Sequence, residues 1–332
     1  MHIFTNPNYN FLRWRWHAVA LSWVVIFAGV AAIYTKGLPK GIEFAGGTAV
    51  IMQFDQTPSV EAVRDALTRN YAGGGQDAVV QTYGDPSLHQ VMVRVPQVGA
   101  EQGAALGANA QAVEAALRKG NFGNFKVVGT EIVGPSVGGE LTQKGISAFI
   151  LSLIGILAYI AFRFEFSFAV GAVIATLHDV LVTFAFLAFF RYDLTLNVIA
   201  ALLTVTGYST NDTIVIFDRV RENMRKMRRD SLNDIINVSI NQTLGRTVIT
   251  AGTAFLSAIA LFLFGGEVLH GFAFTMIVGI ITGTYSSVFV AAAIVTFWRR
   301  KSASKLSAAT APATPATPPA RRSKSQRKAR AS

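Results

Sequence analysis

Six stretches of the chain run almost free of charge: about 17–35, 145–162, 167–190, 196–217, 247–264 and 271–298. A helix needs about 20 mostly apolar residues to cross the roughly 30 Å hydrocarbon core of a bilayer, and each stretch has about that length. The pattern predicts six transmembrane helices. The first run follows Arg13 and Arg15 and has no convincing small-residue cleavage site, so it reads as an uncleaved anchor.

Between the first two runs, over 36–144, the pattern changes. Gly47–Phe54, Ala78–Tyr83, Gln90–Val95 and Phe125–Val133 have strand character, while Ser59–Asn70 and Ala108–Lys119 have helical periodicity. Gly73–Gly75 and Gly84-Asp85-Pro86 mark turns. The order βαββαβ predicts a small α+β domain of the ferredoxin-like, split-βαβ kind. The fold class is thus a polytopic α-helical membrane protein carrying one such domain outside the membrane.

Charge orients the chain. It holds 30 Lys and Arg against 19 Asp and Glu, a net charge of +11 over 332 residues. In a soluble protein this excess would suggest nucleic acid. In a membrane protein the placement of the charges matters more, because Lys and Arg collect in cytoplasmic segments. With the N-terminus inside, 20 of the 30 fall on inside segments. The prediction is a cytoplasmic N-terminus at 1–16, an anchor at 17–35 and a periplasmic domain at 36–144. Helices two to six follow over 145–298, with a basic cytoplasmic loop at 218–246. A disordered basic cytoplasmic tail at 299–332, rich in Ala, Thr and Pro, ends the chain. There is no cysteine, which removes disulfides and thiolate metal sites. No nucleophile, phosphate loop or metal cluster stands out, so a membrane enzyme is not expected.

The chemistry lies in the charges that interrupt the apolar runs, because an ionisable group inside a bilayer is costly and tends to mark an ion path. In the fourth run Thr204, Tyr208 and Asp212 recur at i, i+4 and i+8 and share a helix face. Asp212 lies six residues before Asp218, about 9 Å from the inner end of the helix. Arg246 opens the fifth run at the same side and begins a stripe with Thr250, Thr253 and Ser257. An Asp212–Arg246 pair at similar depth is the candidate for proton coupling, with a static salt bridge as the bland alternative. His178 and Asp179 in the third run are weaker candidates, their bland reading a hydrogen bond to a neighbouring helix. Gly271, Gly279 and Gly283, with Thr275 and Ser287, recur every four residues and suit close helix packing.

Several strings together resemble the SecF family. Gly41–Thr48, with Phe44, Gly46 and Gly47, looks like its FxGGT entry to the outer domain. Val133–Gly138 looks like the exit into the second span. Gly207-Tyr208-Ser209-Thr210-Asn211-Asp212-Thr213, running on through Asp218–Asn223, resembles GYSxNDT…DRxRE. Asn241–Thr247 resembles NQTLxRT. Thr210 departs from the aliphatic residue more usual there, and the basic tail is no part of the shared pattern.

The resemblance implies an RND-type half in the bacterial inner membrane that pairs with SecD, a second six-span half. It implies the SecYEG translocon and YajC as further partners and an unfolded exported polypeptide as client. The proton gradient is then the energy source, with no cofactor, and Asp212 and Arg246 couple protons to movement. A half-size RND-type efflux transporter is the alternative, which would normally carry both halves in one chain and larger outer domains.

Overall fold

The computed structural model describes residues 7–73, 75–96, 103–164 and 166–298; the tail expected at 299–332 lies outside the described residues. Its helices and strands, in chain order, are α1 (Arg15–Lys36), α2 (Ile42–Ala45), β1 (Gly47–Phe54), α3 (Val60–Asn70), β2 (Val79–Tyr83), β3 (Gln90–Val95), α4 (Gly103–Arg118), β4 (Phe125–Val133), α5 (Pro135–Arg163), α6 (Phe166–Phe189), α7 (Leu196–Lys226), α8 (Leu232–Phe264) and α9 (Gly266–Ser286). A short π-helical stretch, Ser287–Ala291, extends α9 toward Trp298.

The strands form one antiparallel sheet in the order β2-β3-β1-β4. Thr48 pairs with Val95 on one side of β1, and Phe54 pairs with Phe125 on the other. One sheet face packs Val50, Met52, Val91 and Val93 against Val63 and Leu67 of α3 and Val113 and Leu117 of α4. Ser59 starts α3 by accepting a hydrogen bond from the Ala62 amide, which satisfies one orphan donor of the first turn. The opposite face carries Ala49, Ile51 and Met92 under Ile42 of α2. Being covered on both faces, β1 is apolar almost throughout instead of alternating.

Among the described residues five helices are long and apolar enough to cross a membrane: α1, α5, α6, α8 and the continuous α9 rod. Helix α7 is longer than most of them at 31 residues, but its polar residues keep it out of that group. Their placement explains the difference. Helices α6, α7 and α9 form the packed centre of the bundle, so the polar side chains of α7 face neighbours. Helices α1, α5 and α8 lie around that centre with most of their apolar surface exposed, as at Leu21, Phe27, Leu151, Phe162, Leu256 and Leu263. Helices α7 and α8 are joined by only five residues, 227–231, so both run well beyond the apolar stretches that announced them. Ser231 caps α8, accepting from the Asp234 amide.

Candidate functional site

The centre of the bundle is held by close backbone approach. A Cβ built on Gly279 of α9 would lie 2.4 Å from both γ-carbons of Val205 of α7, and one on Gly283 would lie 2.8 Å from the Ser209 Cβ. At Gly271 the nearest atom is Val198 Cγ2, at 3.2 Å. The three glycines thus meet α7 at positions 198, 205 and 209 in the same direction, which makes the two helices parallel neighbours. Such contact lets small side chains reach partners on the facing backbone.

Asp179 of α6 lies in this seam, 1% exposed. Its Oδ2 accepts from the Ser209 hydroxyl of α7, and from the Ser286 hydroxyl of α9 at 2.8 Å. Its Oδ1 lies 3.0 Å from His178 Nδ1. One carboxylate therefore ties three helices together. The His178 ring stacks beside Tyr285, whose hydroxyl donates to the Ala18 carbonyl of α1 at 2.6 Å. The polar seam continues through Thr176 and Thr210, 3.3 Å apart, and through Thr213 and Ser287, 2.8 Å apart. The π-helical stretch begins at Ser287, directly after Ser286, a position where such irregularities often serve function.

Asp212 of α7 is buried, but on the side facing α8. Thr247 donates its hydroxyl to Asp212 Oδ1 at 2.8 Å, and Oδ2 has no protein donor among the described residues. Tyr208, one turn earlier, is half-buried beside Thr250 and Asp212. A threonine hydroxyl can donate to a carboxylate or accept from a carboxylic acid, so this bond persists in either protonation state. An arginine can only donate.

This corrects the expected pair. No ion pair joins Asp212 and Arg246 among the described residues. The reason is helix phase. The face of α8 packed in the bundle carries Ile236, Ile240, Thr243 and Thr247. Consecutive residues on a helix are about 100° apart, so Arg246 and its stripe of Thr250, Thr253 and Ser257 lie on the exposed face. Arg246 remains close enough to influence Asp212 through the field, as a neighbour and not as a bonded partner. Sequence spacing placed Asp212 but missed Thr247 and Ser286. The available signal for Thr247 was the helical spacing of Ile236, Ile240 and Thr243, which continues to it; Ser286 carried none beyond its small size.

The Phe44-Ala45-Gly46-Gly47 string lies apart from the carboxylates, where the chain enters the sheet. Gly46 has φ 70° and Gly47 φ 121°, in the left-handed region. A Cβ on Gly47 would meet the Val95 carbonyl oxygen at 2.4 Å. The pair of glycines turns α2 sharply into β1, and Phe44 packs against the first turns of α5 near Gly145. Among the described residues no group of three or more His, Cys, Asp or Glu is placed to hold a metal ion.

Comparison with known proteins bears directly on this arrangement. Residues 112–301 match the family "Protein export membrane protein SecD/SecF, C-terminal", and residues 31–58 match the "SecD/SecF GG Motif". The chain is 42% identical over 292 residues to the protein translocase subunit SecF of Desulfurispirillum indicum, covering 87% of this chain and 91% of that one. It is 44% identical over 285 residues to SecF of Vibrio alginolyticus, covering 86% and 88%. Among solved structures it is similar to SecDF from Thermus thermophilus, with a TM-score of 0.78 at 34% identity; 89% of this chain is covered but only 39% of that one. A SecDF in a super-membrane-facing form gives a TM-score of 0.67 at 32% identity, over 92% and 41% of the two chains. The helical bundle is thus an RND-type membrane fold, and the protein is a multi-pass membrane protein. Its seam of hydroxyls and buried carboxylates lies within the region matched to the SecD/SecF family, and the chain belongs to the SecF family of Sec protein-export subunits.

Proposed function

We propose that the chain acts with SecD as one half of a proton-driven motor, in which protonation of Asp212 shifts the helices around it and so moves the sheet domain during late export. One observation carries this reading: Asp212 is buried, held at one oxygen by a bond that tolerates either protonation state, and left without a protein donor at the other among the described residues. A group held in this way can take up and release a proton without tearing its helix from its neighbours.

On this reading α7 completes the set as the fourth of six spans, its polar residues shielded by its central place, and the strand order β2-β3-β1-β4 supports a ferredoxin-like domain on the periplasmic side. Both termini are cytoplasmic in the bacterial inner membrane, as the charge placement favours. The exposed face of α7 and α8 carries Asn211, Arg246, Thr250, Thr253 and Ser257. Polar groups facing lipid are costly, so this face suits a second membrane half. SecD is the proposed occupant, the similar solved structures being SecDF chains about twice as long. SecYEG, YajC and an unfolded exported polypeptide complete the assembly. The motor needs no bound cofactor and no enzymatic step; the proton gradient supplies the energy. The efflux alternative is not favoured, because the similar chains are translocase subunits.

Co-purification in mild detergent tests the partnership. A stoichiometric second six-span chain, lost on Asn211→Leu with Thr250→Leu, is the expected result. Self-association alone would refute it.

A further inference from the structure

The sheet domain meets the bundle at a place that its covalent connections do not require. Residues 190–195, the loop from α6 to α7, run beside the segment that leaves α1. Lys40 and Leu194 form a parallel β-bridge. The Leu194 amide donates to the Pro39 carbonyl at 2.8 Å, and the Gly41 amide donates to the Leu194 carbonyl at 2.7 Å. A Cβ on Gly41 would lie 2.8 Å from that same carbonyl oxygen, so the two segments are in the closest contact that backbone allows.

A side-chain clamp lies over this bridge. Arg94, in β3, donates through Nη2 to Asp193 Oδ2 at 2.5 Å and through Nη1 to the Lys40 carbonyl at 2.6 Å. The Arg94 and Asp193 side chains are only 10% and 16% exposed. Gln81 of β2 also reaches Asp193 Oδ2, at 3.5 Å. The sheet is thereby joined, through one short shielded ion pair, to the turn between α6 and α7. These two helices carry the buried carboxylates. Asp179 lies ten residues before the end of α6, about 15 Å along the rod, and Asp212 lies 17 residues after the Thr195 cap, about 26 Å along.

We infer that Arg94 and Asp193 are positioning residues that hold the sheet domain rigidly on the α6–α7 hairpin, so that a displacement of the hairpin becomes movement of the domain. The inference rests on the proton-coupled reading above and adds the transmission to it. Neither residue touches the proton or the client. A charge-paired arginine fork fixes both distance and direction, whereas a hydrophobic contact would let the surfaces slide. The backbone bridge beneath it prevents the loop from hinging independently.

The chain has no cysteine, so introduced pairs form without competition. Lys40 and Leu194 are bridge partners, a spacing that suits a disulfide. The test uses the full chain reconstituted with the complete translocase, and export is measured with and without an imposed proton gradient. Arg94→Ala is expected to keep the gradient-independent level and lose the stimulation. The charge swap Arg94→Asp with Asp193→Arg restores it, as does an oxidised Lys40→Cys/Leu194→Cys disulfide in the Arg94→Ala background, but not the reduced form. If Arg94→Ala does not accumulate, Asp193→Asn, which keeps the side-chain size, decides in the same way. Full stimulation in Arg94→Ala, or loss of stimulation on oxidising the disulfide in an otherwise unaltered chain, overturns the clamp. Asp212→Asn runs in parallel: loss of stimulation there while Arg94→Ala retains it removes the clamp alone, and retention in Asp212→Asn removes the proton reading beneath it.

Discussion

Replacing Asp179 tests the three-helix tie apart from the proton role proposed for Asp212. Asp179→Ala removes the acceptor shared by Ser209 and Ser286 and leaves His178 Nδ1 unpaired. Interhelical polar contacts in membrane bundles average about 0.6 kcal/mol and reach about 1.7 kcal/mol, so the two serine bonds are worth about 1–3 kcal/mol. The space left at a 1% exposed position adds about 1 kcal/mol for lost packing. The total is about 2–4 kcal/mol. Asp179→Asn keeps the shape and one good acceptor oxygen, and should cost about 1 kcal/mol. Asp212→Asn loses less still, because Thr247 is its one hydroxyl partner among the described residues and the amide oxygen replaces the acceptor. Thermal unfolding of the detergent-purified protein, followed by size-exclusion chromatography, should rank Asp179→Ala far below the other two. An Asp179→Ala protein that unfolds with the unaltered chain would refute the three-helix tie, and an Asp212→Asn protein that is equally destabilised would refute the lighter hold on Asp212.

Two further outcomes follow from the glycine contacts. Gly279→Ala forces α7 and α9 apart by about 1 Å and should lower stability by about 1–3 kcal/mol in the same unfolding assay, with Val205→Ala restoring most of the loss. Gly47→Ala combines a left-handed backbone with a clash against the Val95 carbonyl; it should cost about 2–3 kcal/mol and expose the sheet domain to limited proteolysis while the helical bundle stays intact.

The strands were the most legible part of the fold. β1, β3 and β4 have the ends that alternation and flanking glycines suggested, because strand pattern and turn chemistry are both local signals. The helix ends were not. An apolar run reports only the part of a helix that lipid would touch, whereas α5 begins at Pro135 and α8 at Leu232, well before their apolar runs. The early turns of α8 are stabilised instead by burying Ile235, Ile236 and Ile240 in the bundle. In the site, both carboxylates were visible as charges among apolar residues. Their partners were not, because choosing Thr247 over Arg246 depends on the rotation of α8, which tertiary packing sets. Asp179 stood out less in the sequence than its three contacts warrant, since Ser209 and Ser286 are 77 residues apart and meet only through the parallel packing of α7 and α9. The clamp between Arg94 and Asp193 joins positions 99 residues apart and left no local signal at all.

The role proposed for Asp212 is to couple proton movement to export. Vesicles containing the complete translocase, with either the unaltered chain or Asp212→Asn, measure it directly when a proton gradient is imposed. Asp212→Asn is expected to insert, keep its partner and export at the level seen without a gradient, whatever gradient is applied. Gradient-stimulated export at the unaltered level with Asp212→Asn would contradict it.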